Sequence, residues 1–213
     1  MALNTYPLVC TRGVVLYPNQ EIVIDVGRGA SVHAVENAQD NYDKKICLFS
    51  QKELEQENPG KEDIYPVGTL CEVRHIRRFD NFLRVKFRGI KRVKLNNWIN
   101  GSLSDLAEVE ILESEKQDAV EEEALIRMIA DELDRMQGQD RFVTKEIVME
   151  ISKGMGGEFL SDKAVQGLPL DIERKQQYLE TLGVNDRLMM LLQDMAKEKK
   201  MSEVEKQINE TVK

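Results

Sequence analysis

The sequence predicts an α+β protein in two parts: a β-rich half closing into a small barrel or curled sheet, then a bundle of helices that ends in one long helix. Three observations carry this. Up to residue 113 the apolar residues alternate in short runs broken by glycine, proline and paired asparagines, the pattern of strands buried on one face. From Ser114 onward they recur at helical spacing instead. A chain of 213 residues can also bury roughly 70% of its unfolded surface, so no metal or disulfide is needed for a core. The expected lobes are therefore residues 1–113 and 114–213.

In the first lobe, Tyr6 to Cys10 and Glu21 to Val26 read as strands, separated by a stretch that Gly13 and Pro18 interrupt. Val32, Val35 and Ala38 then mark a short helix opened by Ser31 and closed near Asn41, and Lys45 to Gln51 returns to strand. Glu53 to Asp63 is acidic, holds Pro59-Gly60 and has no period, so it is an exposed loop. Asp63 to Leu95 is the central feature, a hairpin in which Leu83, Val85 and Phe87 face one way and Arg84, Lys86 and Arg88 the other. Asp80-Asn81 supplies turn residues that tolerate positive φ. Asn96-Asn97 and Asn100-Gly101 read as turns around Trp98, and Leu106 to Leu112 alternates as a last strand. Closure is the economical way to hide so many short edges.

In the second lobe, Ser114 and Gln117 have capping-box spacing ahead of Leu125, Met128, Ile129, Leu133 and Met136, a helix running up to Gly138. Thr144 caps a helix that ends at Gly154, and the glycine-rich joint Gly154-Met155-Gly156-Gly157 leads to a short helix around Phe159 to Val165. Asp171 opens another, closed by Gly183, and Asn185 caps the long final helix with Leu188, Leu191, Met195, Met201, Val204, Ile208 and Val212 in its stripe. That stripe meets no stop signal before Lys213. The expectation is a piece of a longer protein, or a protomer whose last helix pairs with another chain.

The net charge of −8 is unevenly spread: residues 1–115 carry 15 basic and 17 acidic side chains, residues 116–213 carry 15 and 21. A net negative chain lacks the dominant positive field that wholesale nucleic-acid or anionic-membrane binding requires. Cys10, Cys47 and Cys71 lie in apolar runs without paired spacing, as buried thiols of a reducing compartment do. There is no secretory leader and no 18-residue apolar run, so a cytoplasmic location is expected and no membrane partner.

Catalytic patterns are missing. The one glycine cluster is followed by Glu158 rather than by Lys-Ser/Thr, and would repel a phosphate. With only His33 and His75, no histidine-rich metal site can form, and Cys71 and His75, four apart on a strand, stand roughly 13 Å apart. The binding candidate is the basic ribbon of Arg74, Arg77, Arg78, Arg84, Lys86, Arg88, Lys91, Arg92 and Lys94, with Phe79 and Phe82 at its tip. Such a mixture can stack and neutralise single-stranded RNA, or be a solvated sheet face paired with acids from the helical half.

Several segments together resemble the amino-terminal, substrate-binding domain of the Lon ATP-dependent proteases. They are Pro7-Leu8, Arg12 to Pro18, Val26-Gly27-Arg28 with Ser31, Gln51-Lys52, Asp63 to Thr69, Val85 to Arg92, Leu168-Pro169-Leu170, Lys175-Gln176 with Leu179-Glu180, and Arg187-Leu188. The resemblance lies in their order and spacing across nearly the whole chain. It implies a PUA-like first lobe and a helical lobe whose last helix leads toward an AAA+ module absent from these residues. It also implies hexamers that unfold and cleave proteins, using ATP and Mg in the ATPase and a Ser-Lys dyad in the protease, with no catalytic, cofactor or metal residue carried over to this chain. The partners implied are unfolded or damaged polypeptides and further copies of the chain, in a hexamer or a dimer through the terminal helix, rather than nucleic acid. A protease-free adaptor of the same family and a stand-alone RNA-binding module are the alternatives. For polypeptide, the candidate contacts are Phe79, Phe82, Met155 and Tyr17, all outside the periodic core stripes. For association they are Met195, Met201, Val204 and Ile208. Gly27, Gly68 and Gly89 are assigned to turns, bulges or close backbone approach.

Overall fold

A computed structural model describes residues 4–27, 29–136 and 145–211, so the expectations at Arg28, Gly138, Thr144, Val212 and Lys213 lie outside the described residues. The chain divides into two compact units, residues 1–113 with Pro169–Glu180, and Ser114–Leu168 with Thr181–Lys213.

The first unit contains strands β1 (Asn4–Thr11) and β2 (Glu21–Val26), helix α1 (Gly29–Asn41), and strands β3 (Lys45–Ser50), β4 (Val67–Arg78), β5 (Leu83–Ile99) and β6 (Leu106–Leu112). In spatial order they run β2-β5-β4-β3-β1-β6, and a further β5–β6 pairing closes five of them into a barrel, as expected from the many short edges. The strand left outside that ring is β2, which among the described strands pairs with β5 alone. The β1–β3 pair is parallel. That arrangement needs a crossover, and β2 and α1 lie between the two in sequence.

Alternation puts Leu83, Val85 and Phe87 inside, against Val9, Ile46, Val73 and the α1 residues Ala34, Val35 and Ala38. A separate cluster around Phe49, Leu70, Val93, Leu95, Ala107 and Val109 fills the other part of the barrel. Each fully buried large side chain contributes about 2 to 3 kcal/mol by leaving water.

Three local expectations differ from the structure. Asn96-Asn97 is not a turn: β5 runs through it to Ile99 and absorbs the extra residue as a bulge between Leu95 and Asn97. Asp80 and Asn81 do not use positive φ, which among the described non-glycine residues occurs at Asn19, Asp43 and Lys44. The pairing ends at Arg78 and Leu83, and a four-residue connection of this kind can be built on a turn that needs no left-handed residue. Helix α1 starts at Gly29, which puts Ser31 inside the first turn and buried rather than at the cap.

The long-range glycine expectation stands at two positions. A Cβ on Gly68 would lie 2.3 Å from the Leu48 carbonyl oxygen, and one on Gly89 would lie 2.2 Å from that of Tyr17.

Helix α2 (Ala119–Met136), α3 (Lys145–Ser152), α4 (Gly157–Gly167) and α6 (Val184–Thr211) make up the second unit, while α5 (Ile172–Glu180) groups with the barrel. Its allegiance follows from buried polar chemistry. Arg92, 1% exposed, donates to the carbonyls of Leu179 and Tyr178, the Tyr17 hydroxyl donates to the Lys175 carbonyl at 2.7 Å, and Gln176 donates to the Val67 carbonyl at 2.8 Å. Asp171 caps α5 as expected, accepting from the Arg174 N–H at 2.8 Å.

The expected capping box serves a different helix. Asp118 caps α2, accepting from the Glu121 N–H at 2.7 Å. Gln117 reaches instead to the start of α6, where its Oε1 accepts from the N–H groups of Asn185 at 2.9 Å and Asp186 at 3.2 Å. Asn185 is therefore inside α6, and Gly183 precedes that helix rather than closing α5, leaving the space that the Gln117 side chain occupies. Ser114 accepts from the buried guanidinium of Arg187, which also donates to Ser161 and to the Thr181 carbonyl. Gly154, at φ +93°, and Gly156, at the N-cap of α4, make the expected joint between helices.

Candidate functional site

The β4–β5 hairpin ends in Phe79 and Phe82, joined by a hydrogen bond from the Phe79 N–H to the Phe82 carbonyl at 3.0 Å. Their rings stack with centroids 4.6 Å apart and planes 11° from parallel. Arg77 lies 5.2 Å from the Phe79 centroid, and Arg84 lies 5.4 Å from Phe79 and 5.7 Å from Phe82. Phe79 remains 37% exposed and Phe82 is half-buried. Two rings, clamped by guanidinium groups, thus meet solvent at the end of a paired hairpin.

The ribbon below them is not a free positive face. Its partners are acids of the same unit, chiefly from β2, rather than of the helical half as expected. Arg84 makes a bidentate contact with Asp25 at 2.7 and 2.8 Å, Lys86 meets Glu21 at 2.8 Å and Arg88 the same carboxylate at 3.9 Å. Arg74 pairs with Glu72, Arg78 with Glu36 and Lys91 with Glu113. Arg92, read as part of the face, is buried beneath it.

Hydrogen bonding from Lys86 holds the Glu21 carboxyl below its ordinary range, and hydrogen bonding from Arg84 does the same to Asp25 while raising the guanidinium in return. The complement was present in the sequence, where acids of E-I-V-I-D-V match bases of L-R-V-K-F-R once the strands are antiparallel, with Asp25 opposite Arg84 and Glu21 opposite Arg88. Reading either strand alone misses it. The RNA-binding alternative finds no support in this arrangement.

The remaining candidates scatter. Tyr17 is fully buried, because Gln20 N–H to Tyr17 carbonyl closes a turn with Pro18 and Asn19 at its centre that folds the ring inward; it is not an exposed contact. Met155 is half-buried in the glycine joint of the other unit. On α6, Met195 is buried in its own bundle, whereas Met201, Val204 and Ile208 are 51%, 42% and 55% exposed. Their spacing of three and four places them along one side of the helix.

Burial raises the Cys47 and Cys71 thiols well above their ordinary range, which leaves them unreactive as nucleophiles. The first N–H of α4, that of Gly157, donates to Glu122 Oε1 at 2.9 Å, and Glu158 adds a second acid to the first turn, so the glycine joint does not fit a nucleotide. No cluster of metal-ligating side chains occurs among the described residues, and no helix among them is long and apolar enough to cross a membrane.

Residues 5–197 match the family model described as the ATP-dependent protease La (LON) substrate-binding domain. The chain belongs to that family. Among curated relatives it is 31% identical over 210 residues to the Lon protease of Buchnera aphidicola subsp. Acyrthosiphon pisum, covering 98% of this chain and 27% of that one. It is 31% identical over 208 residues to the Lon protease of Escherichia coli K12, covering 97% and 26%. The chain thus spans about a quarter of the length of these relatives.

Among solved structures, the N-terminal domain of a Mycobacterium avium complex Lon protease superposes with a TM-score of 0.74 at 17% identity, covering 91% of this chain and 98% of that one. A Lon N-terminal domain protein from Xanthomonas campestris gives 0.61 at 17% identity, covering 89% and 97%. These likenesses establish the shared α+β fold. The family is named for substrate binding, and the part of the relatives matched here is that domain.

Proposed function

We propose that this chain recruits unfolded or damaged polypeptide for an ATP-dependent protease, and that its first contact is the aromatic tip Phe79–Phe82. The observation that carries the reading is the stacked pair itself, apolar and solvent-facing, beside a ribbon whose charges are largely paired within the unit. A binder of many sequences needs apolar surface that discriminates little between partners, and needs it free of a strong field of one sign. Met155 is a further contact of the same kind; Tyr17 is withdrawn because it is buried. The test is crosslinking of the chain to reduced, carboxymethylated lactalbumin, comparing wild type with Phe79→Ser/Phe82→Ser. A several-fold drop is expected, and undiminished crosslinking by the folded double variant removes the tip from the site.

A second reading concerns assembly. The exposed stripe Met201, Val204 and Ile208 supports self-association through α6, in a dimer of this piece and in a hexamer of the longer protease, with Met195 excluded because its own bundle covers it. ATP and Mg then belong to the ATPase of the longer protein. Cys10, Cys47 and Cys71 are buried thiols outside any disulfide, which favours a reducing compartment, hence the cytoplasm.

A further inference from the structure

Strand β2 stands outside the closed ring with one partner among the described strands, and its free side is chemically specific. The Gly89 N–H donates to the Gln20 carbonyl at 2.9 Å, just before β2 begins. In an antiparallel ladder the main-chain groups of alternate residues face the same way, so Ile22, Ile24 and Val26 bond toward β5 and Glu21, Val23 and Asp25 direct N–H and C=O away from it. E-I-V-I-D-V has no proline, no lysine and no bulge in its pairing, and its two charges, Glu21 and Asp25, are both engaged by bases of β5. Along its C-terminal half is a groove of about 310 Å³, lined by Ile24 to Gly27 together with Val9 to Arg12 and Ser31 of α1. The far wall is an edge as well, because β1 pairs with β6 only over Asn4–Pro7 and leaves Val9 to Thr11 without a strand on that side.

We propose that β2 accepts one extended polypeptide segment as an added strand, apolar on its groove side and bearing Lys or Arg on its outer side. It rests on the reading that the chain binds polypeptide. Only an extended main chain can satisfy the outward groups of Glu21, Val23 and Asp25 in register. The charge pattern selects the occupant: on the outer face β5 presents Arg84, Lys86 and Arg88, β2 presents Asp25, Val23 and Glu21 beside them, and basic residues in the next column continue the alternation. Val23, 58% exposed between the two acids, supplies an apolar contact in the middle of that column.

The probe is a fluorescein-labelled ten-residue peptide alternating Val and Lys, followed by anisotropy, with the Val/Glu peptide and a Val/Lys peptide N-methylated at alternate residues beside it. Wild type binds the Val/Lys peptide at least ten-fold more tightly than either control. Val23→Pro removes an outward N–H without breaking a β2–β5 bond and abolishes that binding while its circular dichroism and melting stay as in wild type. If Val23→Pro does not fold, Val23→Lys keeps the N–H and reduces Val/Lys binding ten-fold without weakening Val/Glu binding.

Equal binding of the N-methylated peptide, or unchanged Val/Lys binding in the folded Val23→Pro chain or in Val23→Lys, overturns strand addition. The Phe79→Ser/Phe82→Ser chain separates the two readings. If it loses lactalbumin crosslinking while Val23→Pro still binds the Val/Lys peptide, strand addition fails and the tip stands. If it crosslinks fully and Val23→Pro has lost the peptide, the tip fails and the edge stands.

Discussion

Arg92 of β5 donates from its buried Nε to the carbonyl oxygen of Leu179 at 3.0 Å, across 87 residues of sequence. Leu179 and Tyr178 are in the last turn of α5, whose carbonyls have no partner within the helix, so the guanidinium closes a helix end from a strand. Replacing it with methionine keeps the volume but strands those acceptors in the interior. Arg92→Met is expected to cost about 3 kcal/mol in urea unfolding, with new proteolytic sensitivity within 169–180. An unchanged midpoint and unchanged cleavage would refute this role.

Gly89 lies where the Tyr17-Pro18 turn presses on β5. A methyl group there meets the Tyr17 carbonyl oxygen at 2.2 Å, and backbone on both sides leaves little room to yield. Gly89→Ala should destabilise the barrel unit by about 3 kcal/mol. Gly156→Ala is the comparison: nothing lies within 4 Å of its added carbon, and the change should cost no more than about 1 kcal/mol, the preference for glycine over alanine at an N-cap. Thermal unfolding of the two variants compares them directly.

The β2–β5 ion pairs make an acid-sensitive contribution. Glu21 and Asp25 titrate in the folded chain below their ordinary values of 4.5 and 3.8, because Lys86 and Arg84 hydrogen-bond them. A lowered folded value means the stabilisation is complete above the unfolded values and disappears as pH falls through the folded ones. The melting temperature should therefore drop below about pH 4.5, less steeply in Arg84→Gln/Lys86→Gln and less steeply in high salt. Equal acid slopes in variant and wild type would count against these pairs. Since both carboxylates are exposed, the effect is small.

Met201→Ser/Val204→Ser/Ile208→Ser changes three exposed positions on one side of α6 and leaves its buried anchors Leu188, Leu191 and Met195 untouched. Helicity should be retained. Sedimentation velocity should show a weight-average mass that rises with concentration in wild type and stays monomeric in the triple variant. Monomers in both would dismiss the stripe as an interface.

The strands and the helices were legible in the sequence because period and punctuation are local: Leu83, Val85 and Phe87 announce a buried face whatever lies across from them. Sites were less legible, since exposure depends on what folds over a residue. Tyr17 follows a glycine and valines and precedes a proline, like any loop aromatic, yet its turn carries it into the interior. Phe79 and Phe82 can be recognised as tip residues, whereas their stacking and the Arg77 and Arg84 clamp cannot. Nothing local separates Arg92 from Arg88, though one is buried and the other solvent-facing.

What the sequence determined alone is the α+β class, the change of period at residue 114 and the family carried by its segments, because each is a property of neighbours along the chain. The tertiary structure decided which partner each polar group finds. It gave Gln117 to α6 rather than to α2, α5 to the barrel, the acids of β2 to the basic ribbon, and it left β2 itself with an open edge. Hydrogen bonds and ion pairs are satisfied by proximity in space, and sequence distance does not encode that proximity.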